Sequence, residues 1–209
     1  MPDARIVEWN ESNYDLDAHP YVRMARQAGK WAFASDYARL DVVYRQGGIY
    51  LDVDVELLKP LDPLLADAAF CGFEQDNCVA TGLILAAERG HPLIGAMRDD
   101  YDRLRELTPC PKVQTRFLEK RGLRADGSLQ RVEGLTVYPA PFFAPLDYRH
   151  ARCVVTDETY SIHHYSQSWQ PAWKKVLRAS RLLCEGLLGE RMTSVLTAIK
   201  RCIYRGEVD

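Results

Sequence analysis

The stretch from Trp31 to Gln46 contains neither proline nor glycine. It runs straight into Gly47-Gly48, then the apolar triplet Ile49-Tyr50-Leu51, then Asp52-Val53-Asp54. An uninterrupted run of this kind reads as a helix, and the paired glycines end it, because a helix C-terminus commonly needs a residue at positive φ. Ile49-Tyr50-Leu51 then reads as a buried strand. A helix that turns sharply into a strand calls for a sheet with helices laid against it. Alternation along a strand puts Asp52 and Asp54 on one face. Ligands of open α/β sheets lie beyond the carboxyl ends of the strands, and two convergent carboxylates there form a hard oxygen site suited to Mg²⁺ or Mn²⁺ carrying a phosphate group.

The rest of the chain repeats the alternation. Arg5–Trp9 is a short strand candidate. Val79–Ala87 is an apolar run closed by Arg89-Gly90-His91-Pro92, and a helix from Pro92 to Leu107 follows the turn. Leu135–Tyr138 and Thr159–Tyr165 supply further strands. With 209 residues, 47% of them hydrophobic and 27% charged, the composition describes one globular domain and excludes a disordered or collagen-like chain. A net charge of −2 gives no general field for nucleic acid, so nucleic acid is not an expected partner.

Six widely spaced cysteines form no CxxC pair, and the opening residues carry Asp3 and Glu8 with no apolar core of a signal peptide. These features read as a cytoplasmic chain with buried thiols. Residues 170–209 hold eight basic side chains against four acids, on two stretches with helical apolar spacing broken at Gly186 and Gly189. Such a basic amphipathic tail suits a peripheral contact with the inner face of the cell membrane or with a partner protein. Apolar stripes that pack on the core are the plain alternative.

An Asp-x-Asp triplet arises often by chance as a solvated strand end. Support comes from Ser35, Asp36 and Arg39, which share one face of the helix leading into the strand. The plain alternative is a surface pair between Asp36 and Arg39, worth about 0.2–0.5 kcal/mol. A rival enzyme reading is a haloacid-dehalogenase-like phosphatase with Asp52 as nucleophile and Asp54 as general acid. A non-enzyme reading is an inactive, truncated paralogue acting as an interaction subunit through its tail.

Taken together, Ala34-Ser35-Asp36-Tyr37-Ala38-Arg39 and Gly47-Gly48-Ile49-Tyr50-Leu51-Asp52-Val53-Asp54 resemble the DXD-containing glycosyltransferases of family 32. These are similar to the clostridial glucosylating toxins and the yeast initiating mannosyltransferase. Thr81-Gly82-Leu83-Ile84 with Gly90-His91-Pro92 resembles the family's central strand and turn. Ile162-His163-His164-Tyr165 with Ser168-Trp169 resembles its closing motif.

The resemblance implies a GT-A-like (Rossmann-like) α/β domain over residues 1–169, a mixed sheet flanked by helices, followed by the helical tail over 170–209. It implies metal-dependent, retaining transfer from a nucleotide-diphosphate sugar, a UDP- or GDP-sugar, to the hydroxyl of a glycan or lipid-linked acceptor. The setting it suggests is capsule, lipopolysaccharide or other surface polysaccharide biosynthesis.

In residues, the resemblance assigns Asp52, Asp54, Asp36 and Arg39 to the reaction centre. Ser35, Tyr50, Thr81, Gly82, Ser168 and Trp169 join Asp36, Arg39 and Asp52 around the donor. Asp52, Asp54 and a histidine would hold Mn²⁺ or Mg²⁺. Adjacent strand residues face opposite ways, so only one of His163 and His164 can reach the ion, and the family pattern favours His163.

Three departures accompany the resemblance, one being Ala80 where the family often has Asn before Thr-Gly. The first nucleotide-binding strand of the family is missing ahead of Arg5, and the expectation is that an upstream reading frame encodes it. Pro109-Cys110-Pro111 stands where the family often has Thr-Gly-Pro.

Overall fold

The structure, a computed structural model, describes residues 4–74, 77–147 and 152–165. The chain divides into two compact units, the first formed by residues 1–147 and 153–166 and the second by 148–152 and 167–209. Every element of the site described below belongs to the first unit. The expected tail helices, Ser168 and Trp169 lie outside the described residues.

In chain order the helices are α1 (Pro20–Gln27), α2 (Trp31–Gln46), α3 (Pro92–Asp99), α4 (Cys110–Glu119) and α5 (Ala140–Phe143). The strands are β1 (Gly48–Tyr50), β2 (Val55–Leu57), β3 (Ala69–Gly72), β4 (Leu85–Ala87), β5 (Gln130–Val132), β6 (Leu135–Tyr138), β7 (Leu146–Asp147), β8 (Arg152–Cys153) and β9 (Ser161–His163). Five of them form a mixed sheet in the order β1-β4-β3-β6-β5, with β3 and β6 parallel and the other pairs antiparallel. The chain is therefore α/β, a mixed sheet with helices against it.

Alternation along the central strands sorts side chains between two cores. Ala69 and Cys71 of β3 and Leu85 and Ala87 of β4 face a cluster closed by Leu40 and Val43 of α2, Leu93, Ile94 and Met97 of α3, and Val113 and Phe117 of α4. Phe70 and Ala86 face the other way, into Leu61, Leu64, Leu83, Ile84 and Phe143. All of β3 is buried, as a strand covered on both faces must be.

α2 ends as its sequence dictates. Gly47 has φ 73 and ψ −177, a backbone region essentially reserved for glycine, and its N–H donates to the Val43 carbonyl. Gly48, at φ 102, then swings the chain into β1, which pairs Gly48 with Ala87 and Tyr50 with Leu85.

Several expectations change. Arg5–Trp9 forms no strand: Ile6 is 93% exposed, and none of the described strands pairs with the segment. β1 is an edge strand that stops at Tyr50, so Leu51 is outside it. The Val79–Ala87 run becomes a strand only at β4, because Leu83 N–H bonds back to the Ala80 carbonyl and makes a turn first.

The helix from Pro92 reaches only Asp99; a short 3₁₀ turn over Asp100–Arg103 follows, and Leu104 is already extended. Arg98 bonds Asp99 and Arg103 bonds Asp100, so this acid pair is consumed by its neighbours. Cys71 and Cys110 are buried, but Cys78 is half-buried and Cys153 exposed; all four are free thiols.

Candidate active site

β1 delivers the chain to Asp52, and there the backbone turns: Val55 N–H donates to the Asp52 carbonyl, and Val53 stands fully exposed at the tip. The two carboxylates therefore converge by a turn and not by strand alternation. After the turn, β2 pairs antiparallel with β9, setting Val55 opposite His163 and Leu57 opposite Ser161. A strand more than a hundred residues away in sequence is thereby laid beside the aspartates.

His163 Nε2 lies 3.0 Å from Asp54 Oδ1 and 4.0 Å from Asp52 Oδ2. One ligand atom from each of Asp52, Asp54 and His163 falls within 4.8 Å of the other two. With metal–ligand distances near 2.1 Å, two ligands at right angles sit about 3 Å apart and two opposite ligands about 4.2 Å apart. The observed separations span that range. Two carboxylates and an imidazole also form a donor set that a divalent transition-metal ion such as Mn²⁺ accepts more readily than Mg²⁺, which prefers oxygen alone. Burial pushes the His163 imidazole below its usual pKa, against the pull of Asp54 and Asp52, which favours the neutral form whose lone pair a metal needs. His164 is turned the other way, its Nε2 2.9 Å from Glu56 Oε2 on the surface, and it does not join this group.

On the other side of Asp52 stands Arg39, 3% exposed. Its Nη2 lies 3.2 Å from Asp36 Oδ1, from Asp52 Oδ1 and from Ser35 Oγ. Its Nη1 is 3.5 Å from Cys110 Sγ, and the guanidinium lies over the Tyr50 ring, 5.2 Å from its centroid. Asp36 and Arg39 are therefore a buried pair and not a surface ornament of α2. Burial alone would lower the Arg39 pKa, but the facing carboxylates, Asp52 first and then Asp36, outweigh it and hold the cation charged. Burial raises Asp36, with Arg39 opposing.

Tyr50 donates from its hydroxyl to Asp52 Oδ1 at 2.9 Å; burial raises its pKa against the pull of Arg39, Asp52 adds to the rise, and the proton stays in place. Arg39 Nε is buried without a hydrogen-bond partner among the described residues, which leaves donor capacity beside the carboxylates.

The floor under Asp52 is the 79–83 turn. Asp52 N–H donates to the Gly82 carbonyl, and a Cβ at Gly82 would lie 2.3 Å from Asp52 Oδ2 and 3.0 Å from Arg39 Nη1. Glycine is needed here for close approach, since its φ is not positive. Thr81 differs from its expected place at the donor: it is fully buried, and its hydroxyl accepts from Gln114 Nε2 at 2.8 Å.

Local sequence patterns did not single out Cys110 and Gln114 of α4 for this neighbourhood. Cys110 approaches Asp36 with both its thiol and its backbone N–H. Burial, then Asp36, pushes that thiol far up, so it stays protonated and donates. The signals at Cys110 were its place in the Pro109-Cys110-Pro111 departure from the family pattern and Cys110-Pro111 as the first turn of a helix.

A mixed α/β fold thus sets an aspartate pair, a histidine and a buried Asp–Arg pair side by side, a grouping able to hold a divalent ion beside a fixed cation. Comparison with known proteins agrees in kind. Residues 1–71, which include Asp36, Arg39, Asp52 and Asp54, match the family described as glycosyltransferase sugar-binding region containing DXD motif. In this segment the chain is glycosyltransferase-like.

Two curated proteins of Schizosaccharomyces pombe are similar to it. Inositol phosphoceramide mannosyltransferase 3 is 30% identical over 97 residues, 44% of this chain and 27% of that protein. Inositol phosphoceramide mannosyltransferase 1 is 49% identical over 68 residues, 32% of this chain and 20% of that protein. The matched stretches thus span about a quarter or less of these relatives' lengths. A solved structure, the PaToxG glycosyltransferase, is 22% identical and covers 51% of this chain and 45% of its own, with a TM-score of 0.35.

Proposed function

We propose that the chain is a GT-A-like, metal-dependent glycosyltransferase that moves a sugar, with retention, from a nucleotide-diphosphate sugar to a hydroxyl acceptor. The observation that carries this reading is the convergence of Asp52, Asp54 and His163 within 4.8 Å, beside an Arg39 that is already committed to two carboxylates. A divalent ion held by Asp52, Asp54 and His163 would act as a Lewis acid toward the departing diphosphate.

The chain's own groups then divide the work. Arg39 fixes the Asp36 and Asp52 carboxylates, which holds Asp52 Oδ1 away from the proposed ion and leaves Oδ2 on the side of His163. Tyr50 holds Asp52 Oδ1 from the second side and limits its rotation. Arg39 also offsets the negative charge that Asp36 and Asp52 would otherwise present to a diphosphate, in a setting poor in water where that offset counts for more than at the surface.

Asp52 is a weak candidate for a phosphatase nucleophile, because Oδ1 is held by Arg39 and Tyr50 together. The names of the two relatives support a mannosyl donor and a lipid-linked acceptor; surface-glycan synthesis is the wider setting proposed from the sequence resemblance alone. Nucleotide release from UDP- and GDP-sugars with Mn²⁺, run on wild type and Asp54→Ala, tests the proposal. Release confined to wild type is expected. Equal release by both proteins refutes the metal-ligand role of Asp54.

A further inference from the structure

We propose that Gln114, in the middle of α4, is a positioning residue for the Asp52 carboxylate, acting through Thr81 and Gly82. The inference rests on the metal-site reading above.

Gln114 is fully buried, and its amide grips Thr81 at two points. Oε1 accepts from the Thr81 backbone N–H at 3.3 Å, and Nε2 donates to Thr81 Oγ1 at 2.8 Å. A backbone N–H can only donate, so the amide orientation is fixed by the contact itself. One residue on, Thr115 Oγ1 accepts from Val79 N–H at 2.8 Å, so α4 holds the turn at its first residue as well as at Thr81.

That turn is in contact with the site at Gly82. Its carbonyl receives the Asp52 N–H at 3.1 Å, and its Cα leaves no room for even a methyl group beside Asp52 Oδ2. A displacement of the turn must therefore displace the carboxylate. Cys110, one helical turn before Gln114 and on the same face of α4, touches Arg39 and Asp36. One helix face thus contacts both the Arg39–Asp36 pair and the turn under Asp52. Partners bonded directly to a metal ligand commonly alter metal affinity by about 10–100-fold when removed, and Gln114, one contact further out, belongs at the low end of that range.

If Gln114 serves packing alone, its loss lowers stability and leaves metal affinity where it was. Gln114→Met keeps the volume, removes both bonds and strands the Thr81 N–H in the interior. Thr81→Val removes the hydroxyl contact alone, and Thr81→Ser keeps it. Calorimetric titration of the whole chain with Mn²⁺ should show binding about tenfold weaker in Gln114→Met, weaker in Thr81→Val, and wild-type in Thr81→Ser. Wild-type affinity in Gln114→Met and Thr81→Val overturns the inference, whatever their melting temperatures. If Gln114→Met does not fold, the Thr81 pair decides alone. Asp54→Ala is the control: if it binds Mn²⁺ as wild type does, or wild type binds none, the metal-site reading falls and this inference falls with it.

Discussion

Arg39 carries more of the site than any other side chain, and it does so from inside the protein. A buried ion pair is a poor source of net stability, but breaking one from a single side leaves charge stranded in a medium that cannot solvate it. Arg39→Met would leave Asp36 at 7% exposure facing a methyl group, with Asp52 losing the same partner. The expected cost is about 3–5 kcal/mol, read as a lower urea midpoint. Arg39→Met/Asp36→Leu should recover part of it, because the second change removes one of the stranded charges. A single mutant as stable as wild type would mean that the carboxylates reach water by another route.

Elements were legible to the extent that their signals were local. α2 was readable to its last residue because helix period, absence of breakers and a glycine stop all lie within the segment itself. At that stop, Gly47→Ala must force an L side chain into φ 73 and ψ −177, with its Cβ 2.8 Å from the Arg89 backbone nitrogen. A cost of about 1–3 kcal/mol is expected from the backbone alone, measurable by urea unfolding.

Strands were less legible, since a strand exists only when a partner is present. Arg5–Trp9 has the composition of one, yet no described strand pairs with it. α3 shows a third kind of constraint. His91, at its N-cap, is buried against Gly134 in the two-residue turn between β5 and β6, where Glu133 and Gly134 both take positive φ. Burial lowers the His91 pKa, more than Glu88 raises it. The unfolded chain therefore binds the proton first as pH falls below about 6.5, so stability contributed here is complete above that pH and is lost below it. Urea midpoints between pH 7.5 and 5 should fall less steeply for His91→Gln than for wild type; parallel slopes would show that the imidazole titrates freely.

At the scale of the molecule, the aspartate pair and the Asp36–Arg39 pair were visible in sequence because α2, β1 and the turn are consecutive. The joining of His163 to them was not visible from residue patterns, and neither was the bracing by Gln114, since both depend on pairings across the fold: β2 with β9, and α4 against the 79–83 turn. The same long reach gives the metal reading a thermodynamic consequence. An unfolded chain cannot present residues 52, 54 and 163 together, so an ion that binds them binds the folded state alone.

Stability should then rise with free Mn²⁺ as RT ln(1 + [Mn²⁺]/Kd), about 2.7 kcal/mol at a hundred times Kd. The urea midpoint should rise accordingly after chelator treatment and titration, with the slope unchanged because the surface exposed on unfolding is the same. Asp54→Ala should abolish the shift. His163→Ala decides whether the distant strand takes part: if the full shift survives, the ion is held by the turn after β1 alone, and the pairing of β2 with β9 serves the fold and not the metal.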